Sequence, residues 1–285
     1  MAYGIFVGLS TIDIVYGVDS FPRENSKILA KSQDIFVGGP ATNASITFAQ
    51  LGGNATLATV IGKHGLAGFI RDELGKYSVQ GIDLSSSFQE PPALSSVMVD
   101  GTGQRNVVSI NATRVLSRMA EIDQRPFEKA KILLVDGHYM QASQDWAKNA
   151  KMRGVPVVLD AGSWKTGTEE LLKNVTTTIC SADFMPPGCS TEEEVFKYLQ
   201  GSGVKNIVVT RGSEPIRFSS GLITGTMQVP KVDVVDTMGA GDIFHGAFCY
   251  YAASGLGFVE ALGEATTVAS ESCRFRGTRE WAKTA

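Results

Sequence analysis

The stretch Asp236-Thr237-Met238-Gly239-Ala240-Gly241-Asp242, followed at once by Ile243-Phe244-His245-Gly246-Ala247-Phe248, sets a small-residue turn and a carboxylate at the mouth of an apolar helix. Residues without bulk let the backbone approach an anion closely. The first turn of the following helix directs unpaired N–H groups and a partial positive charge at the same point. Asp242 then stands where a negative ligand would be welcome, which makes chemical sense for a general base that takes a proton from a hydroxyl attacking a phosphoryl group. An Asp N-cap after a glycine turn would account for Asp242, but not for Gly-Ala-Gly.

A second motif, Gly38-Gly39-Pro40-Ala41-Thr42-Asn43-Ala44, lies roughly two hundred residues upstream and leads into a small-and-apolar segment ending Leu51-Gly52-Gly53-Asn54-Ala55. Asp-Thr-x-Gly-Ala-Gly-Asp resembles the C-terminal signature of the ribokinase-like, or PfkB-type, carbohydrate kinases, and Gly-Gly-x-x-x-Asn resembles their N-terminal one. The order and separation of the two are far more specific than either alone. The resemblance continues through Gly8-Leu9-Ser10-Thr11-Ile12-Asp13, Ile61-Gly62-Lys63-His64-Gly65 and Val208-Val209-Thr210-Arg211-Gly212, so it covers nearly the whole chain.

Composition fits that picture. The 285 residues are 43% hydrophobic, with 31 Gly and 10 Pro, enough for one α/β domain over residues 1–285 with an appendage. With 26 basic and 29 acidic residues and a formal charge of -3, the chain has no electrostatic footprint for nucleic acid. No apolar run is long enough to span a bilayer, and the start of the chain carries no basic leader ahead of its apolar run. Cys180, Cys189, Cys249 and Cys273 form no Cys-x-x-Cys pair and the three histidines are scattered, against disulfide or structural-zinc scaffolds and in keeping with the cytoplasm.

Apolar β-branched runs at Ile5 to Leu9, Ala55 to Ile61, Ile132 to Asp136, Val155 to Asp160, Thr178 to Ser181 and Asn206 to Thr210 predict strands. They alternate with predicted helices at Ala41 to Leu51, Gly65 to Tyr77, Gln144 to Arg153, Thr191 to Gln200, Asp242 to Ala253 and 259–272. This is the pattern of a mostly parallel sheet covered on both faces. Tyr16 to Val37 and Ser95 to Ile110 alternate polar and apolar residues instead, with Gly101-Thr102-Gly103 as a hairpin turn, and predict antiparallel strands outside the main sheet. The resemblance implies a three-layer α/β/α fold with a small antiparallel β lid, whose strands lie within 14–37 and 94–110. Such a lid, apolar on one face, calls for a cover and makes a homodimer the expected assembly. Neither a Walker-type loop nor a Gly-x-Gly-x-x-Gly after the first strand is present.

The resemblance implies an ATP-dependent sugar kinase acting on a hydroxymethyl group of a pentose or ketohexose. The segments Val135-Asp136-Gly137-His138 and Ser181-Ala182-Asp183-Phe184 look most like the ketohexose and sulfofructose kinase branch. A nucleoside kinase and a non-catalytic scaffold are the alternatives. Asp242 is the implied base, with the amides of Gly239, Ala240 and Gly241 as the anion hole. Asp13, Gly38, Gly39 and Asn43 are the implied sugar grip, although Asp13 could cap a turn and Asn43 a helix. Asp136 and His138 end a strand at the same expected edge and are specificity candidates. Arg105, on the lid, has a planar fork suited to an oxyanion. Thr210, Gly212, Thr237 and Thr266 are the expected nucleotide contacts.

The chain also departs from the family pattern. Thr210-Arg211-Gly212-Ser213-Glu214-Pro215 lacks a second glycine, Thr266 stands where Asn is usual, and Ser181-Ala182-Asp183-Phe184 replaces the Asn-x-x-Glu that helps position magnesium. Mg2+ remains the expected cofactor, with Asp183 as the substitute ligand. Asp236 matches a position that helps hold a monovalent cation, which makes K+ a further candidate.

Overall fold

The computed structural model describes residues 1–102, 104–110 and 121–283. In chain order its elements are β1 (Tyr3–Val7), β2 (Thr11–Gly17), β3 (Ser32–Gly38), α1 (Pro40–Gln50), β4 (Asn54–Thr59), α2 (Ala67–Lys76), β5 (Gln80–Asp83), β6 (Ala93–Val99) and β7 (Arg105–Ile110). There follow β8 (Ile132–Val135), α3 (Met140–Met152), β9 (Val157–Ala161), α4 (Thr168–Leu172), β10 (Thr177–Ser181), α5 (Glu192–Gly201), β11 (Asn206–Arg211), β12 (Glu214–Ser220), β13 (Ile223–Met227), α6 (Ala240–Ala253) and α7 (Phe258–Ser272).

Nine strands form the main sheet in the order β13-β12-β11-β10-β9-β8-β1-β4-β5. Pairing is parallel from β11 across to β5, and only β12 and β13 run antiparallel. Strands covered on both faces must be apolar on both faces, and β8 is accordingly an unbroken buried Ile-Leu-Leu-Val. Successive residues of β1 feed opposite cores. Ile5 and Val7 pack with Trp146 of α3, Leu171 of α4 and Leu199 of α5, while Phe6 packs with Ile46 of α1, Ile70 of α2, Phe244 of α6 and Leu262 of α7. The three layers follow from that alternation.

The second sheet runs β3-β2-β6-β7. Its outer pairs are antiparallel as expected, but β2 and β6 pair in parallel, with Asp13 opposite Ser95. The lid begins at Thr11, because β2 leaves β1 almost directly, and 18–31 contain no strand. Of the predicted hairpin, Gly101 and Thr102 form the turn, with Asp100 Oδ1 accepting from the Thr102 and Gln104 N–H groups, while Gly103 lies outside the described residues. Helix α3 starts at Met140, ahead of its predicted Gln144; Tyr139 precedes it without a side-chain cap, so no capping signal marked the start. The β12–β13 hairpin, β5 and α4 went unpredicted, since their half-exposed or very short sequences carry little periodicity.

Helices α1 and α6 carry the two glycine motifs and lie against each other. A Cβ at Gly246 of α6 would overlap the Ala44 carbonyl oxygen of α1. Only glycine admits this approach, and it brings the start of one helix to the start of the other.

Candidate active site

Helix α6 begins at Ala240, and Gly239 is its N-cap, at φ 65° and with no side-chain cap. Asp242 is therefore the third helical residue and not the cap, so the N-cap reading of that carboxylate fails. The N–H groups of Gly241 and Asp242 lie in the first turn, where no carbonyl four residues back can serve them. Ala240 differs from expectation, since its N–H reaches the Thr237 carbonyl at 3.3 Å.

Helix α1 begins in the same way. Gly39, at φ 98°, is its N-cap and Pro40 opens its first turn. A Cβ on Gly39 would collide with the Leu9 carbonyl oxygen, so glycine is required there, while one on Gly38 would displace the Asp13 carboxylate. Asn43 falls inside the helix, 5% exposed, and does not cap it. Its Nδ2 donates to Asp242 Oδ2 at 2.6 Å, a direct bond between the two motifs. Its Oδ1 is buried and has no hydrogen-bond partner among the described residues. A buried acceptor without a donor costs about 1–3 kcal/mol, a cost that a bound hydroxyl would remove.

Burial, reinforced by the nearby charge of Asp160, pushes the Asp242 carboxyl up to about 7 against the opposing hydrogen bond from Asn43. Asp242 is only half-buried by exposed area, so water in the cleft screens part of that rise. Asp13, on β2, is raised by burial against hydrogen bonds from Ser95 and Thr11 and the field of Arg279. Asp13, Gly38, Gly39, Asn43, Gly239 and Asp242 thus lie in one continuous set of contacts.

The family model "pfkB family carbohydrate kinase" matches residues 1–285. The chain belongs to this family. It is 26% identical over 293 residues to a ribokinase of Arabidopsis thaliana, covering 96% of this chain and 76% of that one. It is 23% identical over 254 residues to the fructosamine kinase FrlD of Bacillus subtilis, covering 86% of each. The solved structure of Arabidopsis thaliana ribokinase complexed with ribose and ATP superposes with a TM-score of 0.82 at 25% identity, over 97% of this chain and 94% of that one. The protein is a carbohydrate kinase, a phosphotransferase with an alcohol acceptor.

Several expected roles in this PfkB-family kinase meet a different geometry. Asp136 is 2% exposed, and its oxygens accept from the N–H groups of Leu9, Ala41 and His138 at 2.8, 3.3 and 2.9 Å. It fastens the end of β8 to the turn after β1 and to the start of α1, and both of its oxygens are already engaged by backbone N–H groups. Half-buried His138 keeps its place at that strand edge. Thr266 is buried and its hydroxyl donates to the Leu262 carbonyl within α7. Thr210 donates to the Cys180 carbonyl, Gly212 lies in the turn between β11 and β12, and Thr237 is exposed ahead of Gly239. Arg105 and Asp236, expected separately at an anion and a cation, bond each other at 2.7 Å.

For magnesium, Asp183 is an exposed carboxylate in the turn after β10, and its N–H donates to Ser181 Oγ. Among the described residues no three His, Cys, Asp or Glu converge on one point. Such a donor set suits Mg2+ carried by phosphate oxygens and touched by one carboxylate, not a preformed cage.

Sequence reading missed three residues here. Asp160, next to last in β9, is buried, its carboxyl raised by burial against the fields of His245 and Lys165. His245, three residues after Asp242, holds Nδ1 at 2.6 Å from the Gly241 carbonyl and Nε2 at 3.5 Å from Asp160. An imidazole inside an otherwise apolar helix was the available signal. Arg279, 9% exposed, bonds Glu73 of α2, the Val37 carbonyl just before Gly38-Gly39, and Thr278, whose methyl abuts Gly239. No helix among the described residues is long and apolar enough to cross a membrane.

Proposed function

We propose that this kinase transfers the γ-phosphoryl group of ATP to a hydroxymethyl group of a pentose or ketohexose. The observation that carries the reading is the Asn43–Asp242 hydrogen bond with the unpartnered Asn43 Oδ1 beside it. An acceptor and a base set side by side suit a substrate with neighbouring hydroxyls, one held by Asn43 and one deprotonated by Asp242.

The hydroxyl gives its proton to Asp242 as its oxygen attacks the γ-phosphorus, and the bond to the β-phosphate oxygen breaks. The N–H groups of Gly239 and Gly241 and the N-terminal end of α6 face the charge that spreads over the phosphoryl oxygens. One such donor is worth roughly 3 to 4 kcal/mol where it has been removed from other enzymes. Asp13 and the bare backbone of Gly38-Gly39 orient the sugar, and the β2-β3-β6-β7 lid excludes water that would otherwise consume ATP. Mg2+ bound with the nucleotide would neutralise phosphate charge, and Asp183 would be the carboxylate that touches its shell. A homodimer formed through the lid agrees with β7, an edge strand with Val107, Val108 and Ile110 exposed.

A coupled ADP-release assay with Mg-ATP against ribose, fructose, fructose 1-phosphate, sulfofructose, tagatose and adenosine tests the reading. Turnover selective for one sugar is expected. Selective turnover of adenosine, or silence across the panel with ATP bound, would overturn it.

A further inference from the structure

The Asp236 carboxylate already holds three donors, one of them a cation. Oδ1 accepts the Met238 N–H at 2.9 Å and the Arg105 guanidinium at 2.7 Å, and Oδ2 accepts the Gly277 N–H at 3.0 Å. Backbone N–H groups of Val235 and Asp236 in turn bond the Cys273 carbonyl. Asp236 is thus the tie between the Thr237–Gly241 loop and the 273–277 loop. The positive charge on that tie comes from the lid, since Arg105 opens β7 and lies across from Val99 of β6. A second lid strand reaches the same place, with the Phe36 ring of β3 in van der Waals reach of a Cβ at Gly277.

The geometry points to Arg105 as a positioning residue that supplies, from the lid, the charge a monovalent cation would otherwise bring to Asp236. This rests on the reading of Gly239 to Gly241 as the phosphate site. It has two consequences. The kinase works without K+, because a fixed guanidinium already neutralises Asp236 and a second cation would be repelled. The lid and the anion hole are coupled, because Arg105 of the lid bonds the aspartate that ties down the loop leading into Gly239 to Gly241. Nucleotide affinity then depends on a residue of the sugar-side lid, and coupling of this kind commonly amounts to roughly 5-fold or more.

Mg-ADP binding by calorimetry, with KCl exchanged for tetramethylammonium chloride at constant ionic strength, separates the outcomes without requiring turnover. Wild type is expected to bind Mg-ADP equally in both salts. Arg105→Gln is expected to lose roughly 5-fold in affinity, with an unchanged melting temperature, and Arg105→Lys to recover part of the loss. Arg105 is one-third exposed, so the substitution does not threaten folding. Combined with Asp236→Asn, the Arg105→Gln loss is expected to be absent. A several-fold effect of K+ on wild type, or wild-type affinity in Arg105→Gln, would overturn the inference. Normal Mg-ADP binding without sugar turnover would instead count against the proposed function and leave this one standing.

Discussion

Replacing Asp242 by Asn is expected to make the protein more stable and almost inactive, and the size of the first effect is set by pH. The folded protein holds this carboxyl near 7 against an ordinary value of 3.8. Between those values the native state binds more protons than the unfolded chain, so wild-type stability falls as pH rises through that window and levels off above it. At about 1.36 kcal/mol for each unit, the full difference is ~4 kcal/mol. Screening by cleft water reduces it to about 2 kcal/mol. Asparagine does not ionise, yet it keeps an oxygen for Asn43 Nδ2, so the comparison removes the charge and little else. Thermal melts of both proteins from about pH 4 to about pH 8.5 should show curves that nearly coincide at the acid end and separate by several degrees at the alkaline end. The same substitution should lower kcat by about 10²–10⁴-fold with Mg-ATP affinity kept, while wild-type kcat/KM rises with pH through about 7. A melting gap that ignores pH, or an Asn variant less stable at alkaline pH, would refute the raised carboxyl and with it the explanation of the base.

Gly239→Ala forces a left-handed φ on an L-residue and drives its Cβ into the Thr278 methyl, at a cost of about 1–2 kcal/mol from the backbone alone; kcat should fall at least about tenfold, whereas Met238→Ala changes it little. Arg279→Ala strands Glu73 and should cost about 3–5 kcal/mol in urea unfolding, with Glu73→Gln milder. Val108→Glu, at a side chain 70% exposed on β7, should convert a homodimer to monomers by light scattering without lowering the melting temperature; an unchanged mass would remove the lid from the interface.

The layered sheet was legible because β-branched runs and helical spacings alternate over most of the chain, and each run is buried on both faces. The two glycine motifs were legible because each is a local requirement. Gly39 and Gly239 must adopt positive φ at a helix start, and a short stretch of sequence announces that need. The lid was read as β structure from its period of two, but period says nothing about partner direction. The parallel pairing of β2 with β6 joins strands some eighty residues apart, a contact that no local period encodes.

What escaped reading is what strand ends do when they meet. Asp136, Asp160 and Asp242 come from β8, β9 and α6, and no stretch of sequence contains two of them. Taken singly, each resembles a ligand-reading acid at a strand or helix end. Together they cannot all play that part, since three carboxylates on one edge repel one another. The structure divides the labour by hydrogen bonding. Asp136 accepts three backbone N–H groups and ties the turn after β1 to the start of α1, and Asp160 faces His245. Asp242 is left with a single amide donor, and both other acids raise its carboxyl. A base is useful when its affinity for a proton is close to that of its surroundings at working pH. If Asp242 is the base, the fields of Asp160 and Asp136 would contribute to the reaction by keeping its carboxyl there.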